Sequence, residues 1–135
     1  MEKEVHAGYK LVVVVSAMGG ETDKLLALAR DLHPMPPQRE LDMLLSTGER
    51  ISSALLSIAF NKKGFRSLSL TGSQCGILTD GVHQNAQIKD IKCERLYAAL
   101  EENHAVIVAG FQGVNPETKE ITTLGRGGSD LTAVA

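Results

Sequence analysis

The sequence predicts an α/β protein: a three-layer α/β/α sandwich around a mostly parallel sheet. Three observations point there. Two unbroken aliphatic runs, Lys10–Ser16 (K-L-V-V-V-V-S) and Ala105–Ala109 (A-V-I-V-A), lack the polar alternation of half-exposed strands and read as strands covered on both faces. Between them lie segments whose apolar residues recur at helical spacing, beginning with Leu25, Leu28, Ala29 and Leu32. Glycine-rich stretches follow the strands, and open sheets of this class bind ligands beyond the carboxyl ends of their strands.

The elements follow in order. Residues 2–9 are polar and read as the end of a helix broken at Gly8. Lys10–Ser16 is the first strand and ends in the glycine turn Ala17–Gly20, after which Glu21–Leu32 is a helix started near Glu21 or Thr22. Pro34, Pro36 and Pro37 exclude helix from a short hinge. Arg39–Lys63 is the longest helix, with Leu41, Leu44, Leu45, Ile51, Leu55, Ile58 and Ala59 expected as one inward stripe. Lys62, Lys63 and Gly64 suit its C-terminus. Gly48 interrupts the stripe at a cost of about 1 kcal/mol relative to Ala, which implies a packing reason or a close approach to the backbone. Glu49 sits on the stripe's border, where a solvated helix glutamate is the ordinary reading. Arg66–Leu70 is a short strand, Thr71–Gly76 a second glycine loop, and Ile77–Thr79 and Gln87–Ile91 are weaker strands. Asp80–Asn85, between those two, is a surface hairpin or an interface. Glu94–Asn103 is a helix with Leu96, Ala99 and Leu100 inward. Ala105–Ala109 is the second buried strand, Phe111–Pro116 turns away, and Glu120–Thr123 is the last strand.

A chain of 135 residues is enough for one domain with its own core. With no Trp, three Phe and two Tyr, that core has to be aliphatic. A net charge of -2 gives no electrostatic case for nucleic acid or an anionic membrane as partner. No apolar run approaches the ~20 residues of a membrane span, and the charged start Met-Glu-Lys-Glu-Val-His lacks a signal-peptide core. Cys75 and Cys93 form no C-x-x-C pair and read as reduced thiols, so a cytoplasmic setting is expected. His6, His33, His83 and His104 show no zinc-ligand spacing, and no metal site is expected.

The strongest chemical signal is the final stretch, T-T-L-G-R-G-G-S-D-L-T-A-V-A over residues 122–135. Gly125, Gly127 and Gly128 leave Arg126 almost alone, and Ser129 and Asp130 are placed to cap a helix over Leu131–Ala135. Loop, guanidinium and helix N-terminus would together form a socket for an anion. A plain glycine-rich turn into a helix fits the same residues. If Ala17–Gly20, Thr71–Gly76, Gly110–Gly113 and Gly125–Asp130 converge on one sheet edge, they make a long crevice, though this argument names no ligand.

The wider pattern narrows the choice. Ala109-Gly-Phe-Gln-Gly-Val114 followed by Ile121-Thr-Thr-Leu-Gly-Arg-Gly-Gly-Ser-Asp130 closely resembles the signature of aspartate kinases, a branch of the amino-acid kinase fold. The resemblance extends upstream through Val15-Ser-Ala-Met-Gly-Gly20, Leu45-Ser-Thr-Gly-Glu49 and Ser69-Leu-Thr-Gly72, in the family's order. It implies transfer of the ATP γ-phosphoryl group, with Mg2+, to the side-chain carboxylate of L-aspartate, the first step toward lysine, threonine and methionine. A carboxylate of pKa ~3.9 is already ionised at pH 7 and needs no general base. Catalysis then rests on positioning and charge neutralisation.

By resemblance, Arg126 clamps the substrate α-carboxylate and Glu49 accepts from its α-ammonium group. Ser129 with the Gly127–Gly128 backbone completes the pocket, Gly20 and Thr22 border the substrate, and Ser16 lies toward the nucleotide phosphates. Asp130 is a helix cap, a catalytic residue, or both. The resemblance also implies what this stretch lacks: the family's N-terminal Lys-x-Gly-Gly strand, its C-terminal nucleotide lobe and its regulatory ACT domains. The chain is therefore expected to be a partial kinase domain, inactive and a poor ATP binder by itself. Its Leu11–Ser16 strand is expected to be left as an edge prone to self-association. The alternatives are a non-catalytic binding or assembly module, and a kinase acting on another acceptor, which the Leu45–Glu49 and arginine-loop motifs disfavour.

Overall fold

The computed structural model describes residues 1–135. The elements in chain order are α1 (Glu2–His6), β1 (Leu11–Val15), α2 (Glu21–Leu32), α3 (Gln38–Lys62), β2 (Ser67–Leu70), α4 (Gly72–Cys75), β3 (Ile77–Thr79), β4 (Ile88–Ile91), α5 (Glu94–Glu102), β5 (Ala105–Ala109), β6 (Gln112–Val114), β7 (Ile121–Thr123) and α6 (Gly128–Val134). No helix is long and apolar enough to cross a membrane.

The central sheet is parallel, in the order β1-β5-β2. Residues of β5 alternate between two apolar layers. Val106 and Val108 face a cluster with Leu70, Cys75, Ile77 and Ala99, against which Leu96 and Leu100 of α5 pack as expected. Ala105 and Ile107 face Val5 and Phe60 on the side of α1 and α3. Helix, sheet and helix are the three layers. A second, mixed sheet in the order β4-β3-β6-β7 lies beside the first. In it only β3 and β6 run parallel.

Several expectations are corrected. All five residues of β5 are buried, but β1 is not covered on both faces, since Val12 is 46% exposed; its place at the sheet edge is the one expected. Thr71–Gly76 is not an open loop: Thr71 and Gln74 form a reciprocal capping box around the turn α4. Gln112–Val114 does not turn away but forms β6, paired with both β3 and β7. The predicted stripe of α2 is largely solvent-facing, with Leu28 and Leu32 exposed and no residue fully buried.

The largest correction concerns α3. Ile51, Leu55, Ile58 and Ala59 are exposed, and the inward face is instead Asp42, Leu45, Ser46, Gly48, Glu49, Ser53, Ser57 and Phe60. Small and polar residues let the helix lie close to the strands. Ser57 Oγ meets Ser67 Oγ of β2 at 2.9 Å, and Asn61 Nδ2 donates to Ser67 O at 3.0 Å. The closest approach is at Gly48, where an added Cβ would stand 2.9 Å from the Cβ of Ala17, the residue leaving the β1 end. That contact is the packing reason for the interrupted stripe.

The segment Asp80–Asn85 is the expected hairpin connection, joining the antiparallel pair β3 and β4 with Val82 exposed, and it is also tied inward. His83 Nδ1 and Gln84 Nε2 each donate to the fully buried Asp42 at 2.5 Å, fastening the β3–β4 connection to α3.

Gly48→Ala is expected to destabilise the fold. Overpacking costs about 1–3 kcal/mol, against about 1 kcal/mol of helix propensity gained. Urea unfolding checks this: the midpoint should fall with an unchanged slope.

Candidate functional site

One cavity of about 230 Å3 is lined by Ser16, Ala17, Thr22, Glu49, Phe111, Gly125, Arg126, Gly127, Gly128, Ser129 and Asp130. It is smaller than the ~300–1,000 Å3 pockets that hold drug-sized ligands, and suits a small polar molecule. Five segments build it. The end of β1 delivers Ser16 and Ala17, the first turn of α2 delivers Thr22, the middle of α3 delivers Glu49, the β5–β6 turn delivers Phe111, and the loop from β7 with the first turn of α6 delivers Gly125 to Asp130. Gly20 does not line the cavity; it takes a left-handed conformation (φ 76°) and starts α2 beside it. Thus the structure gathers eight of the nine sequence-predicted residues, Ser16, Thr22, Glu49, Arg126, Gly127, Gly128, Ser129 and Asp130, around one space.

The glycine loop folds differently from expectation. Gly127 is left-handed (φ 75°) and is itself the N-cap, so α6 begins at Gly128, with no side-chain cap. Ser129 and Asp130 therefore occupy the first turn rather than capping Leu131–Ala135, and Asp130 is exposed toward the cavity. Gly128 is needed for close packing: a Cβ there would lie 2.7 Å from Leu124 Cβ and 2.9 Å from the Phe111 ring. Arg126 is exposed, with no ion pair or side-chain hydrogen bond to the protein.

Glu49 is not a solvated helix glutamate. It is 3% exposed; its Oε1 accepts from the Ala17 N–H at 3.2 Å, while its Oε2 is buried without any partner. Burial raises its pKa above the usual glutamate value, opposed by the Ala17 N–H. A buried carboxylate oxygen left unpaired is costly, so Glu49 Oε2 has an open place for a hydrogen-bond donor beside the cavity.

Ala17, Phe111 and Gly125 also line the cavity and were not singled out as site residues. Phe111 sits at φ 67°, a backbone state no sequence pattern announces for phenylalanine. No group of three His, Cys, Asp or Glu side chains converges to hold a metal ion.

The burial of Glu49 sets a stability prediction. Its folded pKa lies above the unfolded value, so the folded state binds the proton more tightly. Stability therefore falls as pH rises from the ordinary glutamate range through the raised pKa, and the penalty is complete above it. Glu49→Gln keeps an acceptor for Ala17 N–H and removes the charge. Because the amide Nε2 then stands unpartnered in the place of Oε2, the expectation is a pH trend: the variant's melting temperature relative to the parent's is higher at neutral pH than in acid. Thermal scans at several pH values check it.

Comparison with known proteins gives one consistent result. Residues 2–135 match the sequence profile of the Amino acid kinase family. The aspartokinase of Mycobacterium tuberculosis (strain ATCC 25618 / H37Rv) is 59% identical over 128 residues, 95% of this chain and 30% of that protein. The chain thus spans about 30% of the length of this curated relative. The crystal structure of aspartate kinase from Synechocystis superposes with a TM-score of 0.78 at 49% identity, over 98% of this chain and 21% of that one. Aspartokinase III of E. coli in complex with aspartate and ADP superposes at 0.68 with 26% identity, over 82% of this chain and 25% of that one. With its parallel β1-β5-β2 sheet, its glycine-rich cavity loop and a profile match over nearly every residue, the chain belongs to the amino acid kinase family.

Proposed function

We propose that this chain forms the amino-acid-binding part of an aspartate kinase, with L-aspartate as the ligand of the 230 Å3 cavity. One observation carries the reading: a buried carboxylate oxygen without a partner, Glu49 Oε2, shares the cavity with Arg126. A zwitterionic amino acid supplies the missing cation to Glu49 and an anion to Arg126. The similarity to a kinase solved with aspartate and ADP supports aspartate over other amino acids.

In this reading Glu49 accepts from the α-ammonium group, and Arg126 forks onto the α-carboxylate. Ser129 and the Gly127–Gly128 backbone close the pocket around them, and Thr22 offers a hydroxyl at the rim. The side-chain carboxylate is left ionised and pointed outward, its attack on phosphorus requiring no base. ATP with Mg2+ supplies the phosphoryl group in the parent reaction. Ser16, at the end of β1, is the hydroxyl this reading assigns to the phosphates, and Asp130, in the first turn of α6, lines the same cavity without pairing with Arg126. The residues present make no carboxylate cluster for magnesium. Acyl-phosphate formation from aspartate opens the route to lysine, threonine and methionine.

A second reading, an assembly module, is favoured by the free edge of β1, where Val12 is 46% exposed. Calorimetric titration with L-aspartate separates the two. The parent chain is expected to bind. Arg126→Ala should weaken binding about 10–100-fold, the worth of a charged hydrogen bond. Affinity should also decline in acid as Glu49 protonates, at a pH above that of an ordinary glutamate. No binding at any pH would overturn the amino-acid reading for this chain and leave assembly.

A further inference from the structure

Asp42 takes no part in the cavity, yet it is the most completely enclosed carboxylate of the chain, with 0% exposure. It lies on α3 two turns before Glu49, on the same buried face. Oδ1 accepts from Thr123 Oγ1 at 2.5 Å and from Gln84 Nε2 at 2.5 Å, and Oδ2 accepts from His83 Nδ1 at 2.5 Å. The Gln84 backbone N–H adds longer contacts to both oxygens, at 3.2 and 3.3 Å.

Thr123 is the last residue of β7, and Leu124 and Gly125 are all that separate it from Arg126. The β3–β4 connection also grips this short link. Ala86 N–H donates to Thr123 O at 3.0 Å, Ala86 bridges Leu124, and a Cβ on Gly125 would stand 2.6 Å from Asn85 Oδ1. One carboxylate therefore ties together the helix that carries Glu49 and the strand that leads into the Arg126 loop.

We propose that Asp42 is a positioning residue which, through Thr123 and residues 83–86, sets the separation of Glu49 and Arg126 and thereby the affinity of the cavity for its amino acid. The inference rests on the amino-acid reading of the cavity for its ligand, but not for its mechanics. Charge-assisted bonds to a buried carboxylate are short and directional, and the fixed backbone on both sides transmits that rigidity to the loop. Removing the Thr123 hydroxyl leaves the packing in place and frees β7 from α3 at the point where the loop departs.

The test uses Thr123→Val, Thr123→Ser and, as an independent lesion, Gln84→Met, which removes the side-chain donor alone. Amide hydrogen exchange is read at Leu124 and Gly128, whose N–H groups donate to Phe111 O at 2.8 Å and to Gly125 O at 3.0 Å. Ile107 in the central strand is the reference for global opening. Thr123→Val is expected to speed exchange at Leu124 and Gly128 about tenfold more than at Ile107, and to weaken L-aspartate binding about tenfold, the lower end for a charged hydrogen bond. Thr123→Ser should restore both, and Gln84→Met should reproduce the exchange effect in part. Equal acceleration at all three amides, or none in either lesion, overturns the proposal. If the parent chain binds no aspartate while loop exchange still responds selectively, the positioning role stands and the amino-acid reading falls.

Discussion

The site depends on how closely α3 lies against the end of β1. Ala17 and Gly48 touch where any larger residue on the helix would hold the two apart. That contact brings the next residue, Glu49, within reach of the Ala17 N–H, which is freed because the chain leaves the sheet there. Ala17 thereby both sets the depth of the helix and fixes the carboxylate. The serines along the same face extend the close approach to β2. The helix gives up large apolar contacts on its inner face to gain proximity, so its polar groups have to find partners inside the protein.

Two carboxylates on that face show what satisfaction means. Asp42 receives donors from three residues on two other segments, and both its oxygens are engaged. Glu49, two turns later, receives one N–H, and its second oxygen has none. The same chemistry is structural in one place and open to a ligand in the other. The difference is the number of protein donors supplied.

What the sequence made legible follows from the range over which each feature is determined. The run Ala105–Ala109 read correctly because a central strand has apolar neighbours on both faces. Leu11–Val15 carries the same composition yet leaves Val12 exposed; its edge position was legible from the motif order, not from its side chains. The α3 stripe held at Leu45 but failed beyond it, because Ile51, Leu55 and Ile58 obey helical spacing while Ser53 and Ser57, small and polar, are the residues buried there beside Phe60. Gly48 was the one local sign of that small-residue face. The glycine loop gathered the expected residues since its path is dictated by neighbours in sequence, although Gly127 rather than Ser129 starts the helix. The Asp42–His83 contact joins residues 41 apart, each ordinary in its own segment, so no local signal existed.

The charges around the cavity limit what can occupy it. A simple anion would satisfy Arg126 and leave Glu49 Oε2 buried beside a second negative group. A simple cation would satisfy Glu49 and leave the guanidinium to water. A molecule carrying both charges completes both groups without adding net charge to a small, partly enclosed space. The burial that raises the Glu49 pKa also makes its ionised form the more demanding partner. In the proposed amino-acid reading, the unpartnered Glu49 Oε2 favours a zwitterion in a way that shape alone does not.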